Sequence, residues 1–216
     1  MMNVLQACGV VAKSKGDSLL VATMLSMFVF DAIEGASGPL GAPTPGNSGA
    51  TYPKATRINS VPLMGGAGGL GLGLATAQPQ RKVIVMDGDA SLLLELGTLA
   101  TIASQAPANL IHCVIHNGTQ FTALDNMTLP TTGFRFAEVA KEAGYVHSER
   151  IEDDAAWAKR FPELMKMQGP IFVELVVAPM PKQTGDGFAQ QELPVNQFDR
   201  MGEEAEAMKA WLGGAK

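Results

Sequence analysis

Apolar residues in this chain are grouped into short continuous runs instead of alternating with polar residues. Four such runs are Leu19–Ala22, Lys82–Met86, Asn109–Ile115 and Ile171–Val177. Continuous apolar runs are typical of parallel strands that are covered on both faces. A shorter run, Tyr145–His147, predicts one more strand.

Segments with helical character separate most of these predicted strands. They cover roughly residues 2–14, Ser91–Gln105, Phe136–Ala143 and Ala155–Met167. Alternation of strands and helices is the signature of a parallel α/β sheet. We therefore predict a three-layer, doubly wound parallel sheet with helices on both faces.

The remaining segments set the predicted domain organisation. Residues 35–53 are dominated by Gly, Pro, Ser, Thr and Ala, which indicates a loop. The apolar stretch Leu19–Ile33 is interpreted as a buried strand and its exit, because it is shorter than the ~20 residues that span a bilayer. We expect one domain over residues 1–178 and a C-terminal extension over 179–216, with a terminal helix near Glu203–Leu212.

Charge and cysteine content narrow the classes of function. The formal net charge is −5 and the sequence pI is about 5.2, whereas a nucleic-acid surface needs clustered Lys and Arg. Cys8 and Cys113 form no CxxC pattern, which argues against zinc or iron–sulfur sites. A cytoplasmic protein whose partners are small molecules or proteins, without nucleic acid or membrane, is expected.

Two predicted strands end in side chains that carry oxygen. Asp89 follows the run ending at Met86, and Asn117 follows the run ending at Ile115. The carboxyl ends of neighbouring parallel strands line one crevice. Carboxylate and amide oxygens suit Mg²⁺, which takes few protein ligands and completes its shell with phosphate and water. The following helix would direct its N-terminus to the same crevice, which favours a diphosphate.

These residues resemble a signature of thiamine diphosphate enzymes. The segment Gly88-Asp89-Ala90 followed by Asn117-Gly118 is similar to the GDG…N motif of that family, with Ala90 in place of the last glycine. His116 stands where the family often has a second asparagine. Met64 precedes Asp89 by 25 positions, where the family has a bulky apolar residue that supports the bent cofactor.

The resemblance implies a role for each matched residue. Asp89 and Asn117 would be side-chain ligands of Mg²⁺, and Thr119 would supply a carbonyl ligand. Diphosphate contacts are expected from Gly88, Ala90 and Ser91. Met64 and Gly65 would face the aminopyrimidine ring.

A narrower resemblance concerns the run from Asp87 to Ile102, which looks like the small β subunits of sulfopyruvate and phosphonopyruvate decarboxylases. It implies a two-component 2-oxoacid decarboxylase that cleaves the C1–C2 bond of a small 2-oxo acid, with an anionic side chain as one option. The activating glutamate would come from a pyrimidine-binding α subunit in an α2β2 or larger assembly. This chain alone would then be inactive.

Other functions stay open at the level of sequence. The same cofactor site would serve a carboligase of the acetolactate synthase type, a 2-oxoacid:ferredoxin oxidoreductase subunit or a non-enzymatic cofactor-binding module. A nicotinamide-binding domain is a further alternative, because Gly66–Gly71 satisfies GxGxxG and Asp87 ends a later strand.

The three histidines complete the candidate residues. His112 and His116 are four positions apart, which corresponds to ~13 Å along a strand and argues against joint chelation. His116 is a candidate catalytic residue because it adjoins Asn117. His112 is expected to be structural, and the sequence assigns no role to His147.

Overall fold

A computed structural model describes residues 1–34, 55–122, 125–131, 133–179 and 196–214. The helices are α1 (Val4–Ser14), α2 (Met24–Glu34), α3 (Ala67–Ala77), α4 (Asp89–Leu94), α5 (Thr98–Gln105), α6 (Phe136–Ala143), α7 (Asp154–Leu164) and α8 (Asn196–Gly214). The strands are β1 (Leu19–Ala22), β2 (Arg57–Asn59), β3 (Val83–Gly88), β4 (Leu110–His116), β5 (Thr119–Thr122), β6 (Asp125–Thr128), β7 (His147–Ile151) and β8 (Ile171–Val176).

Six strands form one parallel sheet in the order β2-β1-β3-β4-β8-β7. From β1 the chain continues to β2 in one direction along the sheet, whereas from β3 it continues to β4 in the opposite direction. The point where the strand order reverses therefore lies between β1 and β3. In open α/β sheets, ligands bind outside the carboxyl ends of the strands at such a point.

Successive residues of the central strands are buried in two separate cores, one on each face of the sheet. This explains why the strands are continuous apolar runs. On one face, Leu20, Ile84 and Ile111 pack with α1, α2 and α7. On the other, Leu19 and Val83 pack with α3, α5 and α6. The predicted three-layer, doubly wound α/β fold is confirmed.

Several local predictions needed correction. The stretch Leu19–Ile33 is a strand only up to Ala22 and then becomes helix α2. The single helix expected over Ser91–Gln105 is two helices, α4 and α5, separated at residues 95–97. After Asn117, the polar segment contains the antiparallel hairpin β5–β6. The predicted loop 35–53 lies outside the described residues.

The C-terminal helix α8 covers the β2 edge of the sheet. Its Met208 is buried in the same core as Ile58 of β2, and Arg81 stacks over the Trp211 ring at 4.5 Å. Within the described part of the chain, no helix is long and apolar enough to span a membrane.

Candidate active site

The crevice at the reversal of strand order is lined by the residues that follow β1 and β3. Thr23 directly follows β1, and its backbone N–H donates to the Met86 carbonyl (3.2 Å). A Cβ added to Gly88 would lie 3.8 Å from Thr23 Oγ1 and meet no closer neighbour. Because Gly88 has no side chain, a ligand can approach the backbone closely at this turn.

Asp89 is the first residue of α4, and only 2% of it is exposed. Its Oδ1 accepts from the Ala90 N–H (2.8 Å). Its Oδ2 accepts from the Gly118 N–H (2.7 Å), which belongs to the loop after β4. The ends of β3 and β4 therefore lie close together, as predicted, and the Asp89 carboxylate connects them.

The environment of Asp89 suits a cation. Burial raises the pKa of this carboxyl above its ordinary value, although the N–H groups of Gly118 and Ala90 and nearby His116 oppose the shift. The carboxylate is thus held where its charge is poorly solvated, and a bound cation would relieve that cost.

Asn117 and Thr119 form the other side of the site. Asn117 Oδ1 accepts from the Thr119 N–H (2.8 Å) and from Thr119 Oγ1 (3.0 Å). Gly118 between them has a φ of +69°, a backbone conformation that favours glycine. The turn thus presents the amide oxygen and neighbouring backbone beside Asp89.

The described side chains around these oxygens do not form a complete set of metal ligands. Among the residues that the structure describes, no group of three His, Cys, Asp or Glu side chains could hold an ion. A cation at Asp89 and Asn117 would need further oxygens from a ligand and water. That arrangement is typical of Mg²⁺ bound together with phosphates.

Met64 and Gly65 lie on the segment between β2 and α3, beside the turn that carries Asp89. The Gly65 N–H donates to Ser91 Oγ (3.0 Å). Gly65 has a φ of +93°, and a Cβ there would lie 2.6 Å from Glu95 Cγ. Met64 is 47% exposed, which leaves an apolar side chain available at the mouth of the crevice.

The glycine-rich run has a packing explanation. It forms helix α3, which is separated from the end of β2 at Asn59 by seven residues and does not follow the strand directly. A Cβ on Gly71 would lie 2.3 Å from Val85 Cγ2, and one on Gly68 would lie 2.9 Å from Thr98 Cγ2. Close approach of α3 to β3 and to α5 therefore accounts for these two glycines without a dinucleotide.

His116 ends β4 and is held by a buried carboxylate. Its Nδ1 contacts Glu174 Oε1 (2.7 Å), and its ring packs edge-on against Phe136 (5.1 Å between centroids). Glu174 also accepts from the Ala137 N–H (3.0 Å) and pairs with Arg150. Since the His116 side chain is 11% exposed, its catalytic role stays a prediction.

The other two histidines occupy different surroundings. His112 is fully buried, with Nε2 3.3 Å from Asp87 Oδ2 and Nδ1 3.2 Å from the Tyr145 hydroxyl. This buried position in the sheet fits the structural role expected from the sequence. His147 is on edge strand β7, where its Nε2 contacts Glu149 Oε1 (2.9 Å).

Sequence reasoning missed two residues near this site. Thr23 directly follows the predicted strand run Leu19–Ala22, so the rule that identified Asp89 and Asn117 at strand ends applies to it as well. Glu174 gave a weaker signal, a single acidic residue inside an otherwise apolar strand. A fully buried glutamate of that kind requires partners, and it has three.

Known proteins resemble the chain over the region that contains this site. Residues 44–175 match the thiamine pyrophosphate enzyme, C-terminal TPP binding domain, family. The phosphonopyruvate decarboxylase of Streptomyces viridochromogenes is 38% identical over 121 residues, which cover 55% of this chain and 30% of that protein. The sulfopyruvate decarboxylase subunit beta of Methanothermobacter thermautotrophicus is 38% identical over 122 residues, covering 54% of this chain and 59% of the subunit.

A solved structure shows the same fold. It is the thiamine diphosphate-dependent 4-hydroxybenzoylformate decarboxylase of Rhodococcus jostii RHA1, with a TM-score of 0.61 and 15% identity, over 82% of this chain and 33% of that one. The aligned regions thus span between about a third and three fifths of these relatives. Because the family match covers more than half of the sequence and includes Met64, Asp89 and Asn117, the chain belongs to the family of C-terminal TPP binding domains of thiamine pyrophosphate enzymes.

Proposed function

We propose that this chain is the diphosphate-binding subunit of a two-component, thiamine diphosphate-dependent 2-oxoacid decarboxylase. The observation that carries the proposal is the Asp89–Gly118 contact, which brings the two motif-bearing strand ends into one site. Relatives named as decarboxylases, one of them as a beta subunit, support the reaction class and the division into two chains.

In this proposal Asp89, Asn117 and the Thr119 carbonyl hold Mg²⁺. The donor set fits, because it combines one buried carboxylate, one amide oxygen and adjacent backbone at a single turn. Gly88, Ala90 and Ser91 lie beside the diphosphate, and Thr23 adds a hydroxyl from the end of β1. Mg²⁺ would neutralise the diphosphate as well as Asp89.

Bound thiamine diphosphate supplies the nucleophilic carbon and the electron sink for cleavage of the C1–C2 bond of a 2-oxo acid. The residues of this chain bind the cofactor and orient it. Met64 offers an apolar support for the rings, and the lack of a side chain at Gly65 lets this turn pack against Glu95. Burial of the exposed Met64 side chain by a partner chain would exclude water from the site, which favours loss of a charged carboxylate as neutral CO₂.

The second half of the site is assigned to a partner chain. Three exposed apolar side chains, Leu63, Met64 and Leu94, lie around Gly65, where a Cβ would be 3.4 Å from Leu94 Cβ. Exposed apolar clusters mark contact surfaces. A pyrimidine-binding α subunit would cover them and contribute the activating glutamate, in an α2β2 or larger assembly.

Cofactor binding tests the site. Calorimetric titration of the full chain with thiamine diphosphate should give binding that depends on Mg²⁺ and is lost in Asp89→Ala and in Asn117→Ala. Unchanged affinity in both variants would overturn the site assignment.

Coexpression with the product of the neighbouring reading frame tests the reaction. CO₂ release from a panel of 2-oxo acids, including sulfonated and phosphonated ones, should require both chains. Formation of a coupled product from two carbonyl compounds without a net aldehyde would favour the carboligase alternative instead.

A further inference from the structure

Helix α8 lies outside the region matched by the family and contacts the segment that carries Met64. Glu204 of α8 is buried against strand β2 at the sheet edge. Its Oε2 accepts from both the backbone N–H (2.6 Å) and the side-chain Nδ2 (2.8 Å) of Asn59. A single carboxylate oxygen therefore fixes the last residue of β2.

Glu204 is itself held firmly. Its Oε1 accepts from Arg200 Nε (3.2 Å) and Nη2 (2.9 Å), one turn earlier in α8. Arg200 also donates to both carboxylate oxygens of Asp31 (2.7 and 3.0 Å), and Asp31 pairs with Arg57 of β2. All of these side chains are buried, so the network fixes α8 to both α2 and β2.

Asn59 transmits this restraint along the chain toward Met64. Its Oδ1 accepts from the Val61 N–H (3.0 Å), and the Ser60 carbonyl accepts from the Leu63 N–H (2.9 Å). Beyond Met64, the Leu63 carbonyl accepts from the Gly66 N–H (2.7 Å). Met64 therefore lies on a short arm, residues 59–66, which Glu204 holds at its beginning and Ser91 holds near its end.

We propose that Glu204 is a positioning residue for the cofactor, acting through Asn59 to hold Met64 beneath the thiamine rings. The inference rests on the proposed function, which gives Met64 that role. It assigns the C-terminal helix a part in the site although no residue of α8 lies among the diphosphate ligands. The proposed side-chain ligands of Mg²⁺, Asp89 and Asn117, form their hydrogen bonds within the turns after β3 and β4 and not with the 59–66 arm.

The test compares two ligands on the full chain, Mg²⁺ with thiamine diphosphate and Mg²⁺ with inorganic pyrophosphate. Glu204→Gln replaces one acceptor oxygen by an amide donor, so either the pair of bonds to Asn59 or the pair to Arg200 is lost. We expect affinity for thiamine diphosphate to fall roughly tenfold and affinity for pyrophosphate to stay unchanged. Glu203→Gln, the neighbouring exposed glutamate, is the matched control and should bind both ligands as the parent does.

Asn59→Ala is a second, milder variant that removes the link to Val61 and keeps the backbone contact with Glu204. It decides the question if Glu204→Gln does not fold. In a Met64→Ala background, either substitution should have no additional effect on thiamine diphosphate affinity, because the positioned group is gone.

The outcomes separate this inference from the proposed function. Parent-like thiamine diphosphate affinity in the folded variants, or equal weakening of both ligands, would overturn the positioning role. If the parent binds neither ligand, both alone and together with the coexpressed partner chain, the proposed function itself fails, and the role of Glu204 fails with it.

Discussion

The Asp89 carboxylate and the Gly118 backbone N–H are joined by a hydrogen bond of 2.7 Å. This bond connects the turn after β3 with the turn after β4. It places the carboxylate beside the loop that carries Asn117. Burial raises the pKa of Asp89, so the carboxylate charge is poorly solvated there, and the cation of the proposed function would offset that cost.

The first prediction is that Asp89→Asn separates stability from binding. The substitution removes a poorly solvated charge, which stabilises the protein, but it also replaces one of the two oxygens that accept from Ala90 and Gly118, which destabilises it. The midpoint of thermal unfolding without ligand should therefore change little. The affinity for Mg²⁺ with thiamine diphosphate should fall roughly 100-fold or more, as expected for loss of a metal ligand. Thermal shift with and without the ligand pair measures both effects.

A matched control for that variant is Asp17→Asn, which removes a largely exposed carboxylate paired with Arg81. It should leave the ligand-induced shift intact. A full ligand-induced shift in Asp89→Asn would contradict the metal assignment.

The second prediction contrasts two glycines of the same region. Gly65→Ala must adopt a φ of +93° with its Cβ 2.6 Å from Glu95 Cγ, so it should lower the free energy of unfolding by about 1–3 kcal/mol. Gly69→Ala lies in α3 with no atom within 4 Å of its Cβ, and should raise that free energy by about 0.5–1 kcal/mol. Urea denaturation measures both.

Equal stability changes in the two variants would show that the conformation of the Met64-Gly65 turn is not constrained as described. Because Gly65 also contacts Ser91 through its N–H, its alanine variant should in addition weaken cofactor binding, whereas the Gly69 variant should not.

The third prediction concerns the two cysteines. Cys8 and Cys113 are fully buried, and burial raises the pKa of each thiol far above its ordinary value. Neither should react with a thiol reagent such as DTNB at pH 8 in the folded protein, because the thiolate is the reactive form. Both should react on unfolding in guanidinium. Rapid reaction of one thiol in the folded state would show local opening of α1 or β4.

The sheet and the metal turn were predictable because their signals are local. Runs such as Val83–Met86 are apolar on both faces, and Asp89 directly follows the strand β3 that this run begins. Helix α2 was missed because its apolar residues surround most of the helix and continue the apolar run of β1. A short run of that kind does not distinguish strand from helix by periodicity.

The rest of the site depends on contacts between distant parts of the chain. Glu204 and Asn59 are 145 positions apart, and Asp31 and Arg200 are 169 apart. Nothing in the local pattern around Glu204 distinguishes it from Glu203, its exposed neighbour. At the break between α4 and α5, likewise, Glu95 packs against Gly65, which belongs to the segment before α3.

The fourth prediction uses the pH dependence of Glu174. Burial acts to raise the pKa of this carboxyl, but the hydrogen bonds from His116 and the Ala137 N–H and the charge of Arg150 outweigh it, so the net shift is downward. A carboxyl whose pKa is lower in the folded state contributes stability above its unfolded pKa of about 4.3. That contribution is lost as pH falls through the folded pKa.

Glu174→Gln should therefore lower the free energy of unfolding by roughly 3 kcal/mol at pH 7, because it leaves Arg150 without its buried partner. The difference from the parent should shrink as pH falls below the unfolded pKa of about 4.3 and then through the lower pKa of the folded parent carboxyl. Glu142→Gln, an exposed glutamate of α6, is the control and should show a small difference at every pH. Denaturant titrations between pH 3 and pH 8 measure this, and a Glu174 difference that grows on acidification would contradict the assigned ion pair.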